Sequence, residues 1–405
     1  MQNRNKILLV TPTYWPQGTG GSLATHLMVK LLSKCEDLQL SVLTGTTNLE
    51  TVRKSNVKYI VDPFVRIIER RLPSLSLVLK RYGKILENHD VVYIVYAYTF
   101  IPVAKMLKKK VIVHLHDYKP VSPSATILST CLENPTLSKL ISNSFKTKYL
   151  EYKSISRVLL NIGDSLHSLL ISQWIQDADV IIAVSKRQAE LLAKVLPEIK
   201  GRLKIIYNPP PPIPQINKEF ADKPTFIYLG GESYLKGFYI LLKAVTRFLK
   251  KGGRAKFIFT NNYSIEYISR ITSLNRSYEN AIQLTGRIPY MELMQIYQKA
   301  WALIFPSIWE EPLPYAIIES LMTQTIPLSS KVGGVSELVE STELEKFLFN
   351  PGNSEELYER LLTVSTMTKK DVLSLTQHVN KVYHHLSHTI LNKDNIMKAF
   401  LQILS

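Results

Sequence analysis

Short apolar runs recur along this chain, each followed by a stretch whose apolar residues have helical spacing, and the alternation stops once and restarts. "KILLVTP" (6–12), "LQLSVLTG" (38–45), "DVVYIVYAY" (90–98), "KVIVHLHD" (110–117), "ADVIIAVS" (178–185) and "LKIIYNP" (203–209) read as strands, and "SLATHLMVKLLSK" (22–34) as an amphipathic helix. Strands apolar at consecutive positions are covered on both faces, and helical crossovers make them parallel. "NPPPPIPQ" (208–215) interrupts the pattern, because consecutive prolines continue neither a sheet nor a helix. Beyond it "TFIYLGG" (225–231), "AKFIFTN" (255–261), "IQLTG" (282–286) and "ALIFPS" (302–307) alternate with the helical "GFYILLKAVTRFLKKG" (237–252) and "MELMQIYQKA" (291–300). Three further helical stretches end at Ser405. The expected class is α/β, with two Rossmann-like doubly wound domains over 1–208 and 209–384. Residues 385–405 are expected to form a C-terminal helix packing back toward the first domain. A length of 405 residues suits two cores.

Charge separates the halves. Residues 1–208 carry 29 Lys and Arg against 15 Asp and Glu, whereas residues 209–405 carry 21 against 18. Either the first half faces a polyanion or an anionic membrane surface, or its lysines are simply solvated. Aromatic residues are not interleaved there in a nucleic-acid-binding motif, so no nucleic acid is expected as partner. Cys35 and Cys131 make no disulfide framework, which suits a reducing cytoplasmic setting. The apolar run 91–104 is shorter than the roughly 18–20 residues that span a bilayer, and the N-terminus lacks the pattern of a signal peptide. The expected location is cytoplasmic, including the periphery of the membrane's cytoplasmic face. Residues 120–176 fit the strand–helix scheme least. Within them the basic "SKLISNSFKTKYLEYKSISR" (138–157) is either an amphipathic helix on a headgroup surface or a helical cover with a solvated face.

The stretch "EEPLPYAIIE" (310–319) places Glu311 before a helix and Glu319 inside it. Pro314 suits the first helical position, which leaves the amides of Leu313, Tyr315 and Ala316 at a positive helix end that favours an anion. From Pro314 to Glu319 the rise is about 7–8 Å. A nucleoside diphosphate sugar has a matching layout of sugar, phosphates and ribose, and carboxylates accept hydrogen bonds from paired hydroxyls. From this stretch alone, an acidic first turn with a surface Glu is the simpler reading. Upstream, "YLGGESYLKG" (228–237) ends a strand with Gly230 and Gly231 and supplies Lys236. Glycine permits close backbone approach and lysine neutralises phosphate.

With "SKVGGVSELV" (330–339) following, the chain resembles glycosyltransferase family 4, the retaining nucleotide-sugar transferases of the GT-B fold, whose two domains face a central cleft. The resemblance covers nearly the whole length and is most specific over 304–339. It implies that Glu319 holds the donor ribose and that Glu311 holds hydroxyls of the transferred sugar. It also implies that amides near Leu313, Pro314, Tyr315 and Ala316 meet the diphosphate, and that Lys236 offsets charge on the leaving group. "LTGRIP" (284–289), with Arg287 and Ile288, matches the segment flanking the nucleobase. In the first half "PQGTGGSLATHL" (16–27) resembles the family's glycine loop, with Gly20 and Gly21 before a helix that Ser22 caps. "HLHDYKPVSP" (114–123) resembles its His-Asp segment, in which His116 matches the active-site histidine and Asp117 follows. Ser185 and Lys186 fall in the family's Ser-Lys junction. A His-x-His at a strand end is also a hydrolase metal pattern, but the later strand ends offer no complementary ligands, and the family needs no metal or other cofactor.

One position departs. The family commonly has Arg in the slot of Gly231, so that Arg287 or a basic-half lysine substitutes, or activity is low. The resemblance thus implies a hexosyltransferase using a nucleotide sugar. Its acceptor would be a glycan, lipid-linked or membrane-borne. The alternative is a non-catalytic or partner-dependent relative that binds the nucleotide sugar.

Overall fold

The computed structural model describes residues 5–50, 56–69, 74–214 and 216–404. They form two compact units. The first comprises residues up to Ile127, Glu133–Pro211 and the chain from Thr389 onward. The second comprises Leu128–Leu132 and Pro212–His388.

The first unit contains strands β1 (Asn5–Thr11), β2 (Leu38–Thr44), β3 (Val57–Val61), β4 (Val91–Ile94), β5 (Lys110–Leu115), β6 (Val180–Ala183) and β7 (Leu203–Ile205). Its helices are α1 (Gly20–Leu32), α2 (Phe64–Ile68), α3 (Leu75–Glu87), α4 (Phe100–Met106), α5 (Leu137–Tyr152), α6 (Ile155–Trp174) and α7 (Lys186–Val195). The strands pair in parallel in the order β3-β2-β1-β4-β5-β6-β7. Ile7, Leu8 and Val10 are fully buried, as consecutive apolar residues in a strand covered on both sides must be.

The second unit holds β8 (Thr225–Tyr228), β9 (Lys256–Thr260), β10 (Ile282–Gly286), β11 (Ala302–Phe305), β12 (Ile326–Ser330) and β13 (Leu348–Phe349). They form a second parallel sheet in the order β10-β9-β8-β11-β12-β13. Around it lie α8 (Phe238–Lys250), α9 (Ile265–Ser277), α10 (Tyr290–Lys299), α11 (Tyr315–Met322), α12 (Val335–Val339), α13 (Ser354–Ser365) and α14 (Lys369–His388). Phe238, Leu241, Leu242, Val245, Phe248 and Leu249 form the buried stripe of α8, and Phe248 meets Phe257 edge-on at 5.8 Å. A final helix, α15 (Lys393–Gln402), belongs to the first unit, where Phe400 packs on Tyr93 at 5.2 Å between ring centres.

Among the described residues three strands escape the sequence pattern. β3 lies at a sheet edge and is only partly buried, β12 is buried but follows the two-glutamate stretch without a periodic signal of its own, and β13 is two residues long. Three boundaries move. The run 90–98 is strand only to Ile94, and Tyr96 turns into the left-handed region at φ +62°. Ser22 lies within α1 rather than capping it: Thr19 holds the cap position, and the Ser22 hydroxyl donates to the Thr13 carbonyl instead. The basic stretch 138–157 is not one helix, because Lys153 takes a left-handed conformation and breaks it between α5 and α6.

In both sheets strand order reverses once, between β1 and β4 and between β8 and β11. Parallel sheets bind ligands outside the carboxyl ends of the strands at such a reversal. The loops leaving β1, β4, β8 and β11 are therefore where chemistry is expected.

Candidate functional site

At the reversal in the second sheet, the loop after β8 carries Gly230, Gly231 and Lys236, and the loop after β11 carries Glu310 and Glu311. The Glu311 side chain is 7% exposed and Lys236 is 38% exposed, and the Lys236 Nζ lies 2.5 Å from Glu311 Oε1. The buried Ser307 hydroxyl donates to the same oxygen at 3.0 Å. A buried carboxylate needs this compensation. The more exposed lysine is the member of the pair that can also reach an incoming anion. A recess of about 90 Å³ brings Gly230 and Lys236 together with Ala316, against strand β11.

The two-glutamate loop is held from behind by the turn at 332–334. Gly333 donates its amide to Glu310 Oε2 at 3.1 Å, and Gly334 donates to the Glu311 carbonyl at 2.9 Å. Gly333 has φ +51°, and a β-carbon there would lie 1.9 Å from the Glu311 carbonyl oxygen, so only glycine fits.

Pro314 does not take the first helical position. Its ψ of 120° is extended and makes it the cap of α11, which starts at Tyr315. The first amides bonded back to the Pro314 carbonyl are those of Ile317 and Ile318. Tyr315 and Ala316 thus form the helix's positive end, with Leu313 and Pro314 buried just before it. One turn further, Glu319 is buried, and burial raises its carboxyl pKa to about 7 although a Tyr290 hydrogen bond opposes the shift. The Tyr290 hydroxyl donates to Glu319 Oε1 at 3.0 Å. Tyr290 follows directly on 284–289, where Arg287 is exposed and Ile288 half-buried. Its proximity to that segment in sequence is the signal that could have marked it.

Gly231 sits at φ +63°, where a β-carbon would approach Asn261 Cβ to 3.1 Å. Its carbonyl accepts from the Tyr228 hydroxyl at 3.0 Å. The departure in sequence is thus also one of backbone: this slot adopts a conformation that an arginine takes only with strain.

In the first unit, a β-carbon on Gly21 would lie 2.0 Å from the Tyr96 hydroxyl and 3.1 Å from His116 Cβ, so the α1 terminus, the β4 loop and the β5 loop converge. Gly20 is exposed, and both glycines lie inside the first turn of α1 rather than before it. His116 is almost wholly buried, and neither ring nitrogen finds a hydrogen-bond partner among the described residues. Burial lowers its pKa to about 3, which leaves the imidazole neutral near pH 7. A buried polar group without a protein partner is unusual and marks a group meant for a ligand or water. His114 packs on it at 4.3 Å between ring centres and bonds Tyr93 at 2.5 Å. Tyr96, left-handed and 5.9 Å from the His116 ring centre, is the residue that pattern reading misses, since strand periodicity carries no sign of a φ reversal.

Burial also raises the Asp117 carboxyl to about 6. The Asp117 backbone is clamped by Gln188, whose amide donates to the Asp117 carbonyl at 3.0 Å and accepts from Val184 at 2.8 Å. Ser185 is fully buried and caps α7 through the Gln188 amide, so it supports this clamp, while Lys186 is exposed. Among the described residues no cluster of His, Cys, Asp or Glu could hold a metal ion.

Known proteins share this fold. HepE from Anabaena, solved with UDP-glucose, superposes with a TM-score of 0.67 over 98% of this chain and 99% of its own, at 16% identity. The fold is GT-B. The family described as "Glycosyl transferases group 1" matches residues 211–372, which span the β8, β11 and α11 site of the GT-B second domain. YtcC of Bacillus subtilis (strain 168) is 22% identical over 259 residues, which cover 56% of this chain and 64% of YtcC. Glycogen synthase of Thermodesulfovibrio yellowstonii (strain ATCC 51303 / DSM 11347 / YP87) is 30% identical over 142 residues, which are 35% of this chain and 28% of the synthase. The chain therefore spans less than two thirds of either relative.

Proposed function

We propose that this chain is a retaining glycosyltransferase of family 4 type, moving a hexose from a nucleoside diphosphate sugar to a glycan acceptor that is lipid-linked or membrane-borne. The observation that carries the reading is the order of groups at the second sheet's reversal. The Lys236–Glu311 pair, the α11 terminus and the buried Glu319 follow one another as sugar, diphosphate and ribose do in such a donor. The complexes of HepE with UDP-glucose and with UDP point the same way.

In the proposed reaction the acceptor hydroxyl attacks the anomeric carbon from the face that the leaving group departs. The bond from that carbon to the phosphate oxygen breaks as the new glycosidic bond forms, and the leaving phosphate oxygen takes the acceptor's proton. Lys236 and the α11 terminus offset the charge growing on the diphosphate, which is transition-state electrostatics. Glu311 and the neutral His116 orient hydroxyls without becoming covalently attached. Because Lys236 and the amides provide the positive charge, the proposal needs no metal. The protein would work in the cytoplasm, at the membrane face.

A second reading is favoured by Gly231 alone, whose left-handed backbone stands where family 4 commonly has Arg: a relative that binds the donor but needs a partner for turnover. The deciding experiment titrates UDP, GDP and ADP, with and without sugars, against thermal stability, using Glu319→Ala as control. A ligand at 100 times its Kd stabilises by about 2.7 kcal/mol. Stabilisation of the wild type and not of the variant supports the donor site, and transfer to a lipid-linked acceptor then separates the two readings. Stabilisation by none of them refutes both.

A further inference from the structure

The helical hairpin α5–α6 contains a helix turned inside out. Along α6 the residues facing inward are Asn161, Ser165, His167, Ser168, Ile171 and Ser172, mostly polar. Those facing out are Ile155, Leu159, Ile162, Leu166 and Leu169, which are 37–72% exposed. Their spacing of four, three, four and three places them on one face, about 21 Å long at 1.5 Å per residue. The inward orientation is fixed by bonds. Asn161 donates to the Ser144 hydroxyl at 2.6 Å, Ser168 donates to the Lys119 carbonyl at 2.7 Å, and Asp164 pairs with Lys148 at 3.1 Å. A soluble protein rarely leaves so long an apolar stripe open unless something covers it.

Charge identifies the cover. The hairpin carries Lys139, Lys146, Lys148, Lys153 and Arg157 against Glu151 and Asp164, and Asp164 lies on the bonded side of α6. The exposed stripe itself contains no carboxylate. At the hairpin's tip Arg157 lies over the Tyr152 ring at 5.2 Å, and both Tyr149 and Tyr152 are half exposed. Apolar residues edged by tyrosine and cations are the composition of a helix lying in the interface of an anionic bilayer. Among the described residues no helix is long and apolar enough to cross a membrane, so docking here would be by surface insertion.

We propose that the outer face of α6, with the basic tip of the hairpin, docks the protein onto an anionic lipid surface. This deepens the reading of a membrane-borne acceptor and rests on it for its purpose. The inward face of the same helix grips the Lys119 carbonyl two residues beyond Asp117, so docking and the His116 loop share one support.

The test is co-sedimentation of the full chain with vesicles of phosphatidylcholine alone, and with vesicles in which about one third is phosphatidylglycerol. The expected result is binding to the anionic vesicles only. A Leu159→Gln/Leu166→Gln variant should bind at least about tenfold more weakly, while nucleotide-dependent thermal stabilisation persists and shows the fold intact. Lys153→Ser/Arg157→Ser, which leaves the stripe untouched, should weaken binding about fivefold per charge removed. No binding by the wild type, or equal binding by the stripe variant, overturns the proposal. So does a wild-type dimer that the stripe variant dissolves, because the face then covers a second copy. Stripe-dependent docking without nucleotide stabilisation keeps this proposal and removes the donor reading instead.

Discussion

Glu319→Gln should make the protein more stable and less able to bind its donor, with the first effect growing as pH rises from about 4.5 and complete above about 7. Burial raises the folded-state pKa of Glu319 to about 7, from an ordinary value of 4.5. Between those values the folded state holds a proton that the unfolded chain has lost, so stability falls as pH rises through the window. The gap between the two values corresponds to about 3 kcal/mol once pH exceeds the folded pKa. Glutamine is neutral throughout and still accepts from Tyr290, so it avoids that loss. At pH 4 variant and wild type should melt together. At about pH 8.5 the second unit of the variant should melt roughly 6–12 °C higher, by the usual 2–4 °C per kcal/mol for a unit of this size. Donor binding should move oppositely. A charged acceptor is worth about 1.5–3 kcal/mol per hydrogen bond, so the variant should bind the nucleotide sugar roughly ten- to a hundred-fold more weakly. Wild-type affinity should also rise between pH 6 and 8 while the variant's stays flat. Calorimetric melts at three pH values and titration of the donor supply both readouts. A stability difference that is independent of pH, or unchanged donor affinity in the variant, would refute the reasoning.

Three other perturbations test the remaining parts of the site. Lys236→Ala leaves the buried Glu311 carboxylate without its cation. It should cost about 1–2 kcal/mol of stability, discounted for the lysine's exposure, and a larger factor in turnover. Pairing it with Glu311→Gln should restore the melting temperature but not transfer. His116→Asn should lower turnover more than donor affinity, measured as kcat against KM. The His116 folded pKa of about 3 lies below the ordinary 6.5, so its contribution is present at neutral pH and lost as pH falls below 6.5. The variant should therefore recover about 2 kcal/mol at pH 5 in an acid-unfolding series. Gly231→Arg should destabilise by about 1–2 kcal/mol because a side chain there must hold φ +63°. Increased transfer by that variant, measured with saturating donor, would show that the slot tolerates an arginine after all.

The strands show how far a pattern of side chains can be read. Consecutive apolar residues in β1, β4, β8 and β11 announce parallel sheets covered on both faces, and the glycine and glutamate loops that follow β8 and β11 come to the reversal of strand order through topology alone. The spacing of Glu311 and Glu319 survives a one-residue shift of the helix start, because a proline marks a helix entrance whether it caps or opens it. Tyr96 could not be read in the same way. Its run "VVYIVYAY" is apolar throughout, as a buried strand would be, and only tertiary packing against Gly21 and His116 turns the backbone left-handed. The hairpin sets a stricter limit. The spacing of Ile155, Leu159, Ile162, Leu166 and Leu169 declares a stripe, and the ordinary inference is that such a stripe faces the core. Whether it does depends on what the opposite face can bond. Here Asn161, Asp164 and Ser168 find Ser144, Lys148 and the Lys119 carbonyl, and those bonds, invisible to periodicity, turn the apolar side outward. Periodicity therefore fixes which residues share a face, while partners far away in sequence decide which face is buried. In this chain that decision separates a core helix from one whose apolar side stays exposed.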